Sequence, residues 1–301
     1  MNDSIGLIGI GLLGEAFSRR LIDARFDVIG FDLDADKREK LAARRGRVAE
    51  NVEDLARHSG PILLALFNTD QVEDVVEREL APILSGTNRI VMCASTCNPD
   101  RIAALAARVA AQGFRFLETP VSGTSAQVRR GEGVGLIGGD AETMAEVAPI
   151  LDALFPARFH IGRVGDGGRA KLAVNLVLGL NRLAVAEGLV FAERLGLDPA
   201  AFLDVLQGSA AYSQVMETKG AKMVRGDFSP EGRARQTLKD AHLMLDQARA
   251  KGQRLSALEV HAEVLESCLR HGEGDLDNSV IIQEIRRRAG DALQEAEKTV
   301  S

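Results

Sequence analysis

The stretch IGLIGIGLLGEAF, residues 5–17, decides the fold. Residues 5–8 read as a short buried strand, and residues 12–24 have the period of an amphipathic helix. Between them Gly9, Gly11 and Gly14 stand as G-x-G-x-x-G. The first glycine permits a tight turn, the second lets the backbone approach a pyrophosphate, and the third allows close helix packing. The helix N-terminus adds free N–H groups and the positive end of its dipole. Gly9, Ile10, Gly11, Leu12, Leu13 and Gly14 are therefore candidate cofactor-binding residues.

A second apolar run, FDVIGF, leads into Asp32, eighteen residues beyond Gly14. A carboxylate there accepts from the ribose hydroxyls of an adenosine and repels an extra phosphate, which favours NAD over NADP. Arg38, just past this strand, could tolerate that phosphate. Asp32 and Asp34 could also simply cap the turn DLDADKR.

Further apolar runs at 61–67, 89–93, 114–118, 133–137 and 159–161 alternate with helical patterns. This alternation predicts an α/β fold with a parallel, doubly wound Rossmann-type sheet. After Gly165-Asp166-Gly167-Gly168 the pattern becomes all-helical, over 172–195, 199–207, 215–224, 232–251, 257–271 and 279–294. We expect an N-terminal domain over 1–164 and an all-α C-terminal domain over 165–301, joined by a long helix. The tail after Gly290 is charged and Ala-rich, so it is expected to fray.

The 301 residues are 46% hydrophobic and 27% charged, which suits a globular protein with a real core. A net charge of −6 leaves no basic excess to neutralise a phosphate backbone, so nucleic acid is not an expected partner. Cys93, Cys97 and Cys268 make no even framework and lack metal-ligand spacing; they read as reduced thiols, and no metal is expected. Only Asn2 and Asp3 follow Met1 before the first strand, without a basic leader region, so the expected location is cytoplasmic. Asn175, Asn181, Arg182 and Glu187 interrupt the longest apolar stretch, which argues for a buried helix rather than a membrane span.

That stretch opens GGRAKLAVNLVLGLN, residues 167–181. Lys171 and Asn175 stand one turn apart, and Arg182 follows on nearly the same face, so the polar residues form a stripe. A lysine desolvated on an apolar helix has its charged form disfavoured, as a general base near neutral pH requires. Asn175 can hold the same hydroxyl or the lysine. The spacing alone also fits a lysine snorkelling from the first turn of an ordinary helix. Ser122-Gly123-Thr124 follows a strand stopped by Pro120, where a hydroxyl and backbone amides can bind a carboxylate or merely form a turn. None of the five histidines lies in a motif with an orienting carboxylate and a substrate loop.

Together these segments resemble the β-hydroxyacid dehydrogenases, a family that includes 3-hydroxyisobutyrate dehydrogenase, tartronate semialdehyde reductase and, more remotely, 6-phosphogluconate dehydrogenase. The resemblance is carried by GLIGIGLLG, TPVSGTSAQVRRGEG, GDGGRAKLAVN, EGLVFAERLGLDP, LKDAHL and GDLDNS, in that order along nearly the whole chain. It implies that Lys171 is the catalytic lysine and Asn175 its companion. It also implies that Ser122, Gly123 and Thr124 meet the substrate, and that Leu66, Phe67, Asn68 and Thr96 line the cofactor. Lys239 lines both, with Asp240 as its acidic partner.

Four positions depart from the family pattern. Phe67 replaces a usual proline, Cys93-Ala94 an acidic residue and a serine, Thr124 a glycine, and Val174 an asparagine. The reading that follows is an NAD-dependent oxidoreductase that interconverts a small β-hydroxy acid and its semialdehyde. An imine or larger-aldehyde reductase and a non-catalytic nucleotide-binding relative are the alternatives. Apolar surface along 172–195 and 257–268 predicts a homodimer or homotetramer.

Overall fold

The computed structural model describes residues 4–288. The chain divides into two compact units, Met1–Leu172 and Ala173–Ser301. The expected division at 164/165 lies eight residues before this one. The helix that was expected to begin at 172 spans Asp166–Arg194 and starts six residues earlier.

The first unit is built on one nine-stranded sheet: β1 (Ser4–Ile8), β2 (Asp27–Phe31), β3 (Arg47–Val48), β4 (Ile62–Leu64), β5 (Ile90–Cys93), β6 (Arg115–Glu118), β7 (Val121–Ser122), β8 (Val134–Gly138) and β9 (Ala157–Gly162). The strand order is β3-β2-β1-β4-β5-β6-β8-β7, with β9 on β8. From β3 to β6 all pairs are parallel, and the order reverses beside β1, where such folds bind ligands. β8 departs from the expected parallel sheet, because it runs antiparallel to β6 and β7. β3 and β7 have two residues each, too short to show a period of two.

The central strands read as continuous apolar runs because both faces of the sheet are covered there, whereas β3 and β9 are largely exposed. Leu7, Leu63, Met92 and Leu117 point into one core with Phe17 and Phe155. Ile8, Leu64, Val91 and Phe116 point into the other with Leu55 and Val76.

Among the described residues the second unit has helices and one isolated β-bridge, between Arg233 and Asp277. Asp198 caps Pro199–Gln207. A π-helical turn, Met216–Gly220, runs into Ala221–Arg225. Two long helices, Ala234–Ala250 and Ser256–Arg270, complete the unit with the short turn Asn278–Val280 and helical residues 281–288. The remainder of the helix expected over 279–294, and the tail expected to fray, lie outside the described residues.

Helix Asp166–Arg194 is long and apolar enough to cross a membrane by length and composition, although Lys171 and Arg182 on it are buried within the protein. The expectation of a buried helix holds for only part of its length. Val177 and Phe191 on it are exposed, as is Leu195 just past its end.

Candidate active site

In the first unit, Gly9 has φ +91°, and a Cβ there would lie 2.5 Å from the Ala65 carbonyl oxygen. A Cβ on Gly14 would lie 2.0 Å from the Gly9 oxygen, so helix Leu12–Asp23 can approach the turn only without one. Gly11 differs, since a Cβ on it would meet nothing within 4 Å. It is the N-cap of that helix, and no side chain caps the helix end. The turn therefore leaves an open cradle lined by backbone N–H groups, of the shape and polarity a pyrophosphate fits.

Asp32 closes one side of the cradle. Its Oδ2 accepts from Ile10 N–H at 2.7 Å, and its Oδ1 accepts from Asp34 N–H at 3.0 Å and Lys37 Nζ at 3.2 Å. Arg38 donates to the Asp32 and Leu33 carbonyls. The carboxylate thus stands beside the glycine turn, with Lys37 on it and Arg38 on the neighbouring carbonyls.

The loops after β4 and β5 are tied together at the same edge of the sheet. Leu66 N–H donates to Ser95 Oγ at 2.8 Å and Asn98 N–H to Thr69 Oγ1 at 2.9 Å, which brings 66–68 beside Thr96. Asn68 spends its side-chain oxygen capping Thr69–Asp74, and Phe67 is 40% exposed.

Ser122 ends β7, paired with Val134, and Gly123 takes φ +144°. Thr124 is a helix cap: its Oγ1 accepts from Gln127 N–H while its own N–H donates to Gln127 Oε1. The N–H is engaged and one lone pair of the oxygen takes the cap hydrogen bond, which leaves the hydroxyl proton and the second lone pair available.

Sequence reasoning missed Glu118, at the end of β6. It is 4% exposed, and its carboxylate accepts from Gly165 and Gly168 N–H at the head of Asp166–Arg194. Burial pushes its pKa up to about 7, against the lowering effect of those two hydrogen bonds. The same packing explains the glycines read as a domain break. A Cβ on Gly167 would lie 2.7 Å from the Leu136 oxygen, and one on Gly168 would lie 2.9 Å from Glu118 Oε1. A glutamate closing an otherwise apolar strand was the available signal. Lys171, five residues along this anchored helix, is 8% exposed.

In the second unit, Asn175 Nδ2 donates to Asp240 Oδ2 at 3.0 Å, and Lys239 Nζ lies 2.9 Å from Asp240 Oδ1. The expected pairing of Lys239 with Asp240 is present. Deeper in this unit Lys219 and Asp277 form a buried ion pair at 2.8 Å, which sequence reasoning also missed. His58 and His242 do meet carboxylates, Asp54 and Glu266, but on exposed helix surfaces. All three cysteines are buried and unbridged.

Residues 4–162 match the family model for the NAD binding domain of 6-phosphogluconate dehydrogenase. Residues 165–285 match the one described as NAD-binding of NADP-dependent 3-hydroxyisobutyrate dehydrogenase. Over 294 residues the chain is 29% identical to 2-hydroxy-3-oxopropionate reductase of Escherichia coli, covering 96% of this chain and 99% of the relative. It is 28% identical over 285 residues to L-threonate dehydrogenase of Cupriavidus necator, covering 94% and 96% respectively. The solved structure of 3-hydroxyisobutyrate dehydrogenase from Salmonella typhimurium is similar with a TM-score of 0.85 and 25% identity, over 93% of this chain and 99% of that one. An NAD(P)-binding oxidoreductase of CH–OH donors, this chain belongs to the β-hydroxyacid dehydrogenase family.

Proposed function

We propose that this protein is an NAD-dependent dehydrogenase that interconverts a small β-hydroxy acid and its semialdehyde, with Lys171 as general acid/base. The observation that carries the reading is a buried lysine one helical turn before an asparagine anchored to Asp240. When bound, NAD supplies the hydride acceptor. In the oxidation direction the neutral Lys171 amine takes the hydroxyl proton as the carbon–hydrogen bond breaks, and in reduction the ammonium returns it. Asn175 holds the reacting oxygen, and the Ser122-Gly123 turn takes the substrate carboxylate. Leu66, Phe67, Asn68, Thr96 and Lys239 line the cofactor and the reacting end.

NAD rather than NADP is the cofactor we propose, on the Asp32 carboxylate.

Val177, Phe191, Leu195 and Val205 are exposed on the second unit, and we propose that they are covered in a homodimer or homotetramer. Light scattering that finds a monomer at micromolar concentration removes that proposal. Helix Ser256–Arg270 contributes little to such a surface, because it buries Leu258, Val264, Leu265 and Cys268 in its own unit.

The deciding experiment is turnover of Lys171→Ala across serine, 3-hydroxyisobutyrate, glycerate, threonate and sulfonated analogues, each with NAD and with NADP. We expect a loss of about 10²- to 10⁴-fold with NAD binding retained. Turnover equal to that of the unmodified protein refutes the assignment of Lys171.

A further inference from the structure

Helix Asp166–Arg194 carries a third polar residue on the face that bears Asn175. Arg182 follows Asn175 by seven residues, two turns and about 10.5 Å of rise, with about 20° of rotation between them. Its Cα–Cβ bond leans toward the helix N-terminus, the end that bears Asn175. Arg182 is only 9% exposed, and its Nε and Nη1 are buried without a hydrogen-bond acceptor.

The carboxylate whose charge bears on Arg182 is Asp277, but that group is already committed. Its oxygens accept from Lys219 Nζ at 2.9 and 2.8 Å, from the Glu231, Gly232 and Ser279 N–H groups, and from the Ser279 hydroxyl.

Between Asn175 and Arg182 the stripe passes through Gly179, where a Cβ would lie 2.9 Å from His261 Cε1 and 3.1 Å from its Nδ1. The absent side chain makes room for the imidazole. His261 is 1% exposed, and neither ring nitrogen has a partner. Burial, reinforced by the Arg182 charge, holds its pKa down at about 3, so the ring is neutral and offers one N–H donor. Two idle guanidinium nitrogens, with three N–H donors between them, and one idle imidazole donor have lost their water with no acceptor in return. Such a debt is ordinarily met by an anion.

We propose that Arg182 and His261 form a receptor for a second carboxylate of the substrate, so that the substrate is a hydroxy diacid or its semialdehyde rather than a monoacid. This rests on the reading of Lys171 and Asn175 as the reacting end. A carboxylate supplies both the negative charge and the lone pairs that the cluster lacks. A substrate reacting at Asn175 would extend along the same helical face to reach it.

The test compares 2-(hydroxymethyl)succinate with 3-hydroxyisobutyrate, which differ by one carboxylate on the methyl group, using the full chain with saturating NAD. The unmodified protein is expected to favour the diacid in kcat/KM. Arg182→Gln is expected to lower the diacid-to-monoacid ratio at least tenfold, and Arg182→Lys to lower it less. A preference for the monoacid in the unmodified protein overturns the proposal, as does an unchanged ratio in Arg182→Gln. If Arg182→Gln does not fold, His261→Gln and Arg182→Lys report on the same ratio. Calorimetric binding of methylsuccinate and acetate provides a readout independent of turnover. Tenfold weaker methylsuccinate binding in the variant supports the receptor even if neither hydroxy acid reacts, in which case the Lys171 reading alone fails. Acetate binding as tight as methylsuccinate, and equally lost in the variant, assigns the cluster to a free anion and overturns the substrate receptor.

Discussion

Asn175 is held by Asp240 through a hydrogen bond of 3.0 Å between Nδ2 and Oδ2, across 65 residues of sequence. A carboxylate only accepts, so the amide nitrogen must face Asp240 and the amide oxygen must point away from it. Replacing Asp240 with alanine leaves the amide free to rotate and removes the ion-pair partner of Lys239. Steady-state kinetics of Asp240→Ala are expected to show kcat about 10- to 100-fold lower with a smaller change in KM, since misplacement by about 1 Å can cost 10²-fold. A kcat within twofold of the unmodified protein means that Asp240 does not orient the site.

Glu118 makes stability depend on pH. Its pKa rises from 4.5 in the unfolded chain to about 7 in the fold, where burial outweighs the Gly165 and Gly168 hydrogen bonds and the Arg169 charge, and Asp166 adds to the rise. The folded state therefore binds the proton more tightly. The contribution is fully present below pH 4.5 and is lost as pH rises through 7, on the order of 3 kcal/mol in all. Relative to the unmodified protein, Glu118→Gln should gain stability between pH 5 and pH 8 in urea titrations. A constant difference across that range would show that Glu118 does not titrate there.

Two glycines of one motif should respond differently. Gly14→Ala forces a Cβ to within 2.0 Å of a carbonyl oxygen, so both the unfolding midpoint and NAD affinity should fall. Gly11→Ala meets nothing within 4 Å, so the midpoint should hold while NAD binding weakens, because the methyl enters the cradle. Thermal melts with calorimetric NAD titration separate the two cases. Undiminished NAD affinity in Gly11→Ala would place the pyrophosphate elsewhere.

Asp32 stands between Lys37 and the Ile10 amide, with Arg38 beside it. Removing its charge in Asp32→Gly leaves those cations facing the ribose position. The ratio of NADP to NAD in kcat/KM should rise at least tenfold, the cost of about 1.4 kcal/mol of lost discrimination. A ratio that stays constant would mean that another residue reads the ribose.

The local features were legible in the sequence because local geometry determines them. Glycine spacing between a strand and a helix specifies the cradle, apolar runs specify a sheet covered on both faces, and helical period places Lys171, Asn175 and Arg182 in one stripe. Tertiary structure decided what those residues meet. Asp240 reaches Asn175, Glu118 anchors the helix that carries Lys171, and His261 packs on Gly179, each pairing across 47 or more residues. It also decided that Gly167 and Gly168 allow close packing against Leu136 and Glu118, and that the Thr124 oxygen caps a helix. Burial, and the protonation states that burial imposes on Glu118 and His261, arise only when distant segments exclude water together, and no local pattern encodes that exclusion.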